Sequence, residues 1–271
     1  RVTNKGIELS LSYTEKIRDF GFTIGGNYTF ARSNVDYIAE AQREYAYQMQ
    51  KDHPIGQEFG YVWTGKFYDY VDLENPDVPK PSGTIYAGDL MFKDLNEDGV
   101  IDDRDVAAIG HPTIPEIIYG FNLSFSYMNF YLDTFWQGAS NVSSRYSSEL
   151  RYEFAPNVLP FHMDRWVYDP ERGLDTRATA KYPSLILGAS TQTKAISSFQ
   201  LLNSEYLRLK TAEIGYIVPK NITQKWGVSD LKVFINGSNL LTFDRIKYLD
   251  PEYSSGTRGN YYPQTKFYAL G

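Results

Sequence analysis

Hydrophobic and polar residues alternate along several segments of the chain. In residues 118–127, apolar side chains occupy every second position, and Gly, Asn and Ser fill the positions between them. The apolar set is Tyr119, Phe121, Leu123, Phe125 and Tyr127. The same alternation recurs in residues 7–13, 20–30 and 231–236, and less cleanly in residues 212–218. A period of two places the two sets on opposite faces of a sheet, so the chain is predicted to be all-β.

The connections between these segments alternate in length. Short turns are predicted between Tyr13 and Phe20, at about Asn129, and over residues 219–230. Long connections are predicted at residues 34–58, 72–115, 140–197 and 243–260. An outer-membrane barrel has short turns at one rim and large loops at the other, whereas a soluble sandwich usually keeps its loops short. The pattern therefore favours a transmembrane antiparallel β-barrel with long extracellular loops over a soluble sandwich.

One helix is predicted inside the first long connection. Residues 34–52 are rich in helix-forming residues, and four apolar positions fall on one helical stripe. The stripe consists of Ile38, Ala41, Tyr45 and Met49. Asn34 or Asp36 would cap this helix, and Pro54 would end it.

Composition and net charge argue against several classes of function. The net charge is -6, which argues against a nucleic-acid partner. Cysteine is absent, so disulfides, Cys-zinc sites and thiol catalysis are excluded. No apolar run is long enough for a membrane helix, but barrel strands need only about 10 alternating residues. Aromatic residues make up 16% of the chain, with 23 Tyr, and they suit strands and membrane interfaces.

The acidic segment at residues 94–105 has the spacing of a calcium-binding loop. Gly99 would provide the sharp turn, and Ile101 would anchor the loop by packing. The predicted ligands are the side chains of Asp94, Asn96, Asp98, Asp102 and Asp105 and the backbone carbonyl of Val100. The twelfth position is Asp where the motif has a bidentate Glu, so weaker binding is expected. The alternative is a solvated acidic loop built from Asx turns.

No arrangement of residues predicts catalysis. The three histidines, His53, His111 and His162, are far apart in sequence and form no zinc motif. No nucleophile elbow and no phosphate-binding glycine loop occur. The pair Asp102 and Asp103 could suggest a glycoside hydrolase, but the calcium loop explains these residues better. The chain is therefore predicted to have no catalytic residues.

Aromatic-rich segments, above all residues 58–70 and 164–170, are candidates for ligand contact. Trp63, Trp166 and Tyr168 lie in the most aromatic of these segments. Aromatic rings stack on sugars, but Tyr and Trp also collect in the girdles of membrane barrels. One alternative, which we predict, is that the three residues contact substrate or a partner that covers the barrel. The other is that they belong to an aromatic girdle at the membrane interface.

Three stretches of the chain resemble the SusC/RagA family of TonB-dependent outer-membrane transporters. Residues 88–138 contain a Gly-Asp strand, the acidic loop "DLNEDG", the "IGHP" segment and two strands ending in "WQG". Residues 205–252 contain "YLRLK", "GY" and "NLLT", and residues 261–271 resemble the family's last strand. Together these stretches are more specific than the acidic loop alone.

The resemblance implies a barrel of about 22 strands with a plugged lumen, of which residues 1–271 would form the C-terminal part. No plug domain and no TonB box is recognisable in this sequence. A sheet with two open edges is not viable in lipid, so we expect the molecule to contain more polypeptide.

The function implied by the resemblance is import of large nutrients, either glycans or peptides, across the outer membrane. The implied partners are a SusD-like surface lipoprotein, TonB, and outer-membrane lipid. Calcium would be a structural cofactor. The alternative function is that of a soluble, secreted, β-rich carbohydrate-binding module stabilised by calcium.

Overall fold

Strands dominate the computed structural model, and they are numbered here in chain order. The structure describes residues 1–145, 160–185, 191–246, 249–252 and 264–271. The strands within these ranges are β1 (Val2–Ile17), β2 (Phe20–Val35), β3 (Glu58–Tyr61), β4 (Trp63–Phe67), β5 (Lys80–Pro81), β6 (Leu90–Phe92), β7 (Val100–Ile101), β8 (Val106–Ile109), β9 (Ile117–Tyr127), β10 (Phe130–Ser140), β11 (Ser143–Arg145), β12 (Tyr168–Asp169), β13 (Leu174–Asp175), β14 (Leu201–Asn203), β15 (Tyr206–Ile217), β16 (Lys232–Asp244) and β17 (Phe267–Leu270). The helices are α1 (Tyr70–Glu74), α2 (Thr191–Lys194) and α3 (Lys220–Thr223), with 3₁₀ helices at Ala46–Gln48, Asp103–Asp105, Pro160–Asp164, Ser198–Gln200 and Gln224–Trp226.

Seven strands form the main sheet, in the order β1-β2-β9-β10-β15-β16-β17. Every neighbouring pair in this sheet is antiparallel. The predicted strands are confirmed, and residues 261–263 of the predicted last strand lie outside the described residues. Strands β1 and β17 are the edges of the sheet, so the sheet is not closed into a barrel within the described residues.

The short connections all lie at one end of the main sheet. Strands β1 and β2 are joined by Arg18 and Asp19 alone, and β9 and β10 by Met128 and Asn129 alone. The first residue of each turn has positive φ, 57° for Arg18 and 53° for Met128. Positive φ at this position occurs in the tight turns that match the twist of a hairpin. The connection from β15 to β16 is longer and contains α3.

The long connections leave from the opposite end, because each strand reverses direction. They join β2 to β9, β10 to β15, and β16 to β17. Their short strands form small two-stranded sheets, which pair β3 with β8, β4 with β6, β5 with β7, β11 with β14 and β12 with β13. We call residues 58–109 and the described part of residues 143–203 the loop layer. Its core consists of Leu90, Phe92 and Ile101.

The prediction of a helix over residues 34–52 is wrong. Strand β2 continues to Val35, whose N–H donates to the His53 carbonyl at 3.0 Å, while Asp52 N–H donates to the Val35 carbonyl at 2.9 Å. Asp36 caps no helix, since its carboxylate accepts a hydrogen bond from the Thr3 hydroxyl at 3.1 Å. The segment has only the short 3₁₀ helix Ala46–Gln48. Pairing with residues distant in sequence has overridden local helix propensity.

Candidate functional site

The two faces of the main sheet differ in chemistry. Cross-strand partners share a face, so Ile24 of β2 lies beside Tyr13 of β1 and Leu123 of β9. We call this face the outer face and the opposite one the inner face. The outer face carries Ile7, Leu9, Leu11, Tyr13, Ile24, Tyr28, Leu123, Leu132, Ile214, Val233 and Ile235. The inner face carries one polar row across five strands, Thr23, Ser124, Asp133, Glu213 and Asn236.

The outer face is exposed as well as apolar. Ile7 is 68% exposed, and Leu11, Ile214 and Ile235 are also exposed, although a soluble sandwich would cover such side chains with a second sheet. Within the described residues no second sheet packs on this face. Lipid is the environment that suits an apolar band of this kind. The soluble module that the sequence left as an alternative does not account for it.

Polar groups on the inner face form hydrogen bonds with one another. The Glu213 carboxylate accepts from the Tyr131 hydroxyl at 2.8 Å and from Lys232 Nζ at 2.7 Å. Asp133, the cross-strand neighbour of Glu213, is exposed. The inner face therefore carries an ion pair and an exposed carboxylate close together, as suits a surface in contact with water.

At the loop end of the sheet, an ion pair links strand β2 to the residue that precedes β9. The Arg32 guanidinium of β2 donates to both oxygens of Glu116, at 2.6 and 2.7 Å, and Asn141 Nδ2 donates to Glu116 Oε2 at 3.2 Å. Only 3% of the Glu116 side chain is exposed. The hydrogen bonds from Arg32, together with that from Asn141, hold the pKa of Glu116 below its usual range.

A second charged network lies on the inner face near the loop end. Arg208 of β15 is 2% exposed and lies 2.7 Å from Asp250 and 3.3 Å from Glu252. Lys210 Nζ lies 2.5 Å from Glu252 Oε1. Sequence reasoning missed both this network and the pair of Arg32 and Glu116. The partners are about forty or more residues apart, so no spacing rule marks them.

The predicted calcium residues lie together in one irregular loop. Asp94 accepts hydrogen bonds from the N–H groups of Glu97 and Gly99, at 2.7 and 2.8 Å. The φ of Gly99 is 83°, a conformation that glycine adopts without strain, so the prediction that Gly99 forms the turn is confirmed. Ile101 is 3% exposed and packs in the loop-layer core, which confirms its predicted anchoring role.

Carboxylates in this loop accept hydrogen bonds from its own backbone and from Arg104. Asp105 is fully buried and accepts from Leu95 N–H at 2.7 Å and from Asp102 N–H at 2.9 Å. Asp98 accepts from Val100 N–H at 2.9 Å and from Arg104 Nη1 at 2.8 Å. Both carboxylates therefore have hydrogen-bond donors within residues 94–105.

These contacts shift the pKa of one carboxylate in the loop. The backbone hydrogen bond from Val100, with help from Asn96 and Arg104, holds the pKa of Asp98 below its usual range. In the part of the chain that the structure describes, no three His, Cys, Asp or Glu side chains are arranged to hold a metal ion. Calcium binding by this loop stays a prediction.

Trp63 is a packing residue of the loop layer. Its ring contacts Phe67, with the ring centroids 5.6 Å apart, and Phe199, with the centroids 5.0 Å apart. Its indole N–H donates to the Lys66 carbonyl at 2.7 Å. The ring is only half-buried, so its predicted contact with substrate or a covering partner stays a prediction.

Trp166 and Tyr168 come together with Tyr70 at the surface of the loop layer. The Tyr70 ring lies 6.0 Å from the Trp166 ring and 5.9 Å from the Tyr168 ring. Trp166 is only 5% exposed, whereas Tyr168 is 37% exposed and carries the Arg177 guanidinium 3.9 Å above its ring. Of this cluster, Tyr70 and Tyr168 are the rings available to a partner. Contact with substrate or a covering partner stays a prediction here too.

None of the helices in the described ranges is long and apolar enough to cross a membrane.

Comparison with known proteins finds that the chain is similar to TonB-dependent receptors. No protein-family model matches it. TonB-dependent receptor P3 of Formosa agariphila is 25% identical over 270 residues, which cover 92% of this chain and 25% of the receptor. TonB-dependent receptor SusC of Bacteroides thetaiotaomicron is 24% identical over 280 residues, which cover 99% of this chain and 26% of SusC. The chain is SusC/RagA-like. The resemblance predicted from its motifs is confirmed.

Solved structures give the same fold for this SusC/RagA-like chain. The RagAB peptide transporter matches with a TM-score of 0.70 at 17% identity, covering 99% of this chain and 28% of that one. The open-open state of the RagAB peptide importer matches with a TM-score of 0.68 at 19% identity. The main sheet is thus barrel wall, and the chain is an outer-membrane protein. It spans about a quarter of the length of the curated relatives it matches.

Proposed function

We propose that the chain supplies barrel wall and external loops to a TonB-dependent importer of large nutrients. The observation that carries this proposal is the division of the main sheet into an exposed apolar outer face and a polar inner face, with all long connections at one end. A wall between lipid and a wet lumen requires this division. Relatives that are TonB-dependent receptors support the same function. The proposal includes no catalytic step.

The proposed partners follow from the two ends of the sheet. A SusD-like surface lipoprotein would cover the loop layer from outside, where Tyr70 and Tyr168 are exposed. Such half-wet aromatic rings are common in protein interfaces. TonB would supply energy through a plug that lies outside residues 1–271. Outer-membrane lipid would cover the outer face.

The proposed cargo is an oligosaccharide or a peptide. SusC is one relative of this chain, and the RagAB structures are those of a peptide importer. Trp63, Trp166 and Tyr168 are proposed as contacts with this cargo or with the lipoprotein. Calcium is proposed as a structural ion of residues 94–105, where it would relieve the repulsion among the carboxylates.

Growth of a deletion strain tests the proposal. The gene for the full-length protein is deleted, and growth is measured with single glycans or single protein digests as the limiting nutrient. We expect loss of growth on one class, restored by the intact gene, and the same loss when TonB is depleted. Normal growth and uptake on every nutrient, or a full-length protein that is soluble without detergent, would contradict the proposal.

Pull-down of the tagged receptor tests the partner separately. We expect a surface lipoprotein to copurify in detergent in stoichiometric amount. A receptor that imports its cargo but always purifies alone would refute the partner and leave import standing.

A further inference from the structure

The apolar band on the outer face ends at two basic residues. In β1 and β2 the last apolar partners toward the loop end are Ile7 and Phe30, and the next partners on the same face are Lys5 and Arg32. The partners between these two rows, which lie on the inner face, are a glycine and an alanine. The positive charges at this level therefore belong to the outer face. We call Lys5 and Arg32 the basic pair.

The contacts of Arg32 show that its side chain lies at the outer surface. Its Cζ atom lies 5.8 Å from the centroid of the Phe30 ring, which belongs to the apolar band. Its Nε and Nη2 groups donate to Glu116, yet 54% of the Arg32 side chain is exposed. The ion pair with Glu116 thus holds the guanidinium in place without covering it.

The height of the basic pair matches the edge of a lipid bilayer. Phe20 and Phe30 are ten residues apart in β2. With a rise of about 3.3 Å per residue and a tilt of about 40°, they span about 25 Å along the membrane normal, which is the height of the apolar band of outer-membrane barrels. Arg32 lies two residues beyond Phe30, and the next outer-face partners, Thr3 and Asn34, are polar. The basic pair therefore lies where acyl chains give way to headgroups, on the side of the long connections.

The basic pair keeps one positive charge that no described residue neutralises. The Cβ atoms of directly opposed residues lie about 5 Å apart, and like charges at this distance repel each other. Glu116 compensates one charge. Lys5 is exposed and forms no ion pair with any residue that the structure describes. Asp36, farther toward the loop end, forms an ion pair with Arg1 at 3.3 Å. An anion from outside these residues would relieve the repulsion.

We propose that the basic pair binds the phosphate of a lipid headgroup, in the leaflet on the side of the long connections. Ammonium and guanidinium groups both donate charge-assisted hydrogen bonds to phosphate oxygens. The acyl chains of the same lipid would lie on the apolar band next to Ile7 and Phe30. A soluble anion has no such chains, so a lipid is the expected source. The inference rests on the proposed contact of the outer face with lipid and is independent of import.

Quenching of a fluorophore by brominated lipids tests this site. Residues 1–271 contain no cysteine, so Ile7→Cys is introduced into the full-length receptor freed of any other cysteine and is labelled with bimane. The receptor is reconstituted in phosphatidylcholine vesicles that contain a minor fraction of phosphatidic acid, and one lipid at a time carries bromine on its acyl chains. We expect phosphatidic acid to be preferred about fivefold at the label, the factor by which one basic residue at a membrane surface attracts an anionic lipid.

Two variants of Lys5 and one matched control assign the preference to the basic pair. Lys5→Gln should abolish the preference. Lys5→Glu should do the same, and it keeps the fold because it places a carboxylate opposite Arg32. Lys16 belongs to the same strand but lies on the inner face, opposite Gly21, so Lys16→Gln should leave the preference unchanged. Arg32 is not replaced, because its loss would leave Glu116 buried and unpaired.

No preference in the parent receptor, or an equal preference after Lys5→Gln, would overturn the proposal. An acidic partner of Lys5 on the strand that borders β1 in the full-length receptor would give the first of these results. Loss of the preference in Lys16→Gln would also overturn it, since the attraction would then be general. Loss of the preference in an excess of inorganic phosphate would overturn the lipid source.

The same experiment separates failure of the site from failure of the lipid contact. A label that neither brominated lipid quenches would refute the contact of the outer face with lipid. A label that both lipids quench equally would refute the site and leave that contact standing.

Discussion

An arginine placed on the outer face should destabilise the protein more than one placed beside it on the inner face. Ile24 and Thr23 are neighbours in β2 and face opposite sides of the sheet. Ile24 lies four residues from Phe20, where the strand leaves its tight turn. With a rise of about 3.3 Å per residue and a tilt of about 40°, Ile24 lies about 10 Å above that rim, near the centre of a lipid band about 25 Å tall.

The expected magnitude follows from this position. Ile24→Arg should cost about 2–4 kcal/mol in free energy of unfolding, the usual penalty for arginine at the bilayer midplane. Thr23→Arg loses the contact between the Thr23 and Thr14 hydroxyls, which are 3.0 Å apart. That loss is worth about 1 kcal/mol. The two variants should therefore differ by about 1–3 kcal/mol, or roughly 5- to 150-fold in the folding equilibrium.

Denaturant unfolding of the full-length protein in lipid vesicles measures this difference. The folded fraction is read from the mobility of unheated samples on SDS gels. Equal stability of the two variants, or a larger loss for Thr23→Arg, would refute the assignment of the outer face to lipid.

Three further predictions concern the loop end. Asp94→Ala with Asp98→Ala should lower the calcium content of the purified receptor, measured by mass spectrometry; an unchanged content would refute the calcium proposal. Glu116→Gln should destabilise the protein by about 1–3 kcal/mol in chemical unfolding near neutral pH, because it weakens the bond to Arg32. Folding lowers the pKa of Glu116. Its contribution to the stability of the folded protein is therefore present above the unfolded pKa of about 4.3 and is lost as pH falls through the folded pKa. A loss of this stability as pH rises would contradict the sign. Trp63→Ala should loosen the loop layer and raise its hydrogen exchange, whereas Trp63→Phe should restore protection but not any cargo contact that depends on the indole.

The sequence predicts the barrel wall well because the wall depends on local alternation. A period of two in residues 118–127 is enough to define β9 and the side on which Leu123 lies. The turn at Asn129 is equally local, since it joins two alternating runs with almost no residues between them. The acidic loop is predictable for the same reason: Asp94 and Gly99 lie within one short motif.

What the sequence does not reveal depends on partners far along the chain. The stripe of Ile38 and Ala41 has helical spacing, yet these residues form no helix, and Val35 just before them pairs with His53. Arg208 meets Asp250 only because β15 and the last long connection come together in the folded wall. The burial of Trp166 likewise depends on packing within the loop layer and not on the residues beside it. No pattern of spacing encodes such contacts.

Spin-label accessibility along neighbouring strands shows directly which face of the main sheet meets lipid and which meets water. Single cysteines are placed in the full-length protein at Ile24 and Leu123 on the outer face and at Thr23 and Ser124 on the inner face. The protein is reconstituted in bilayers and probed with oxygen, which partitions into lipid, and with a water-soluble nickel complex. We expect high oxygen and low nickel accessibility for the outer pair and the reverse for the inner pair. Labels on both faces that respond more to nickel would contradict this expectation.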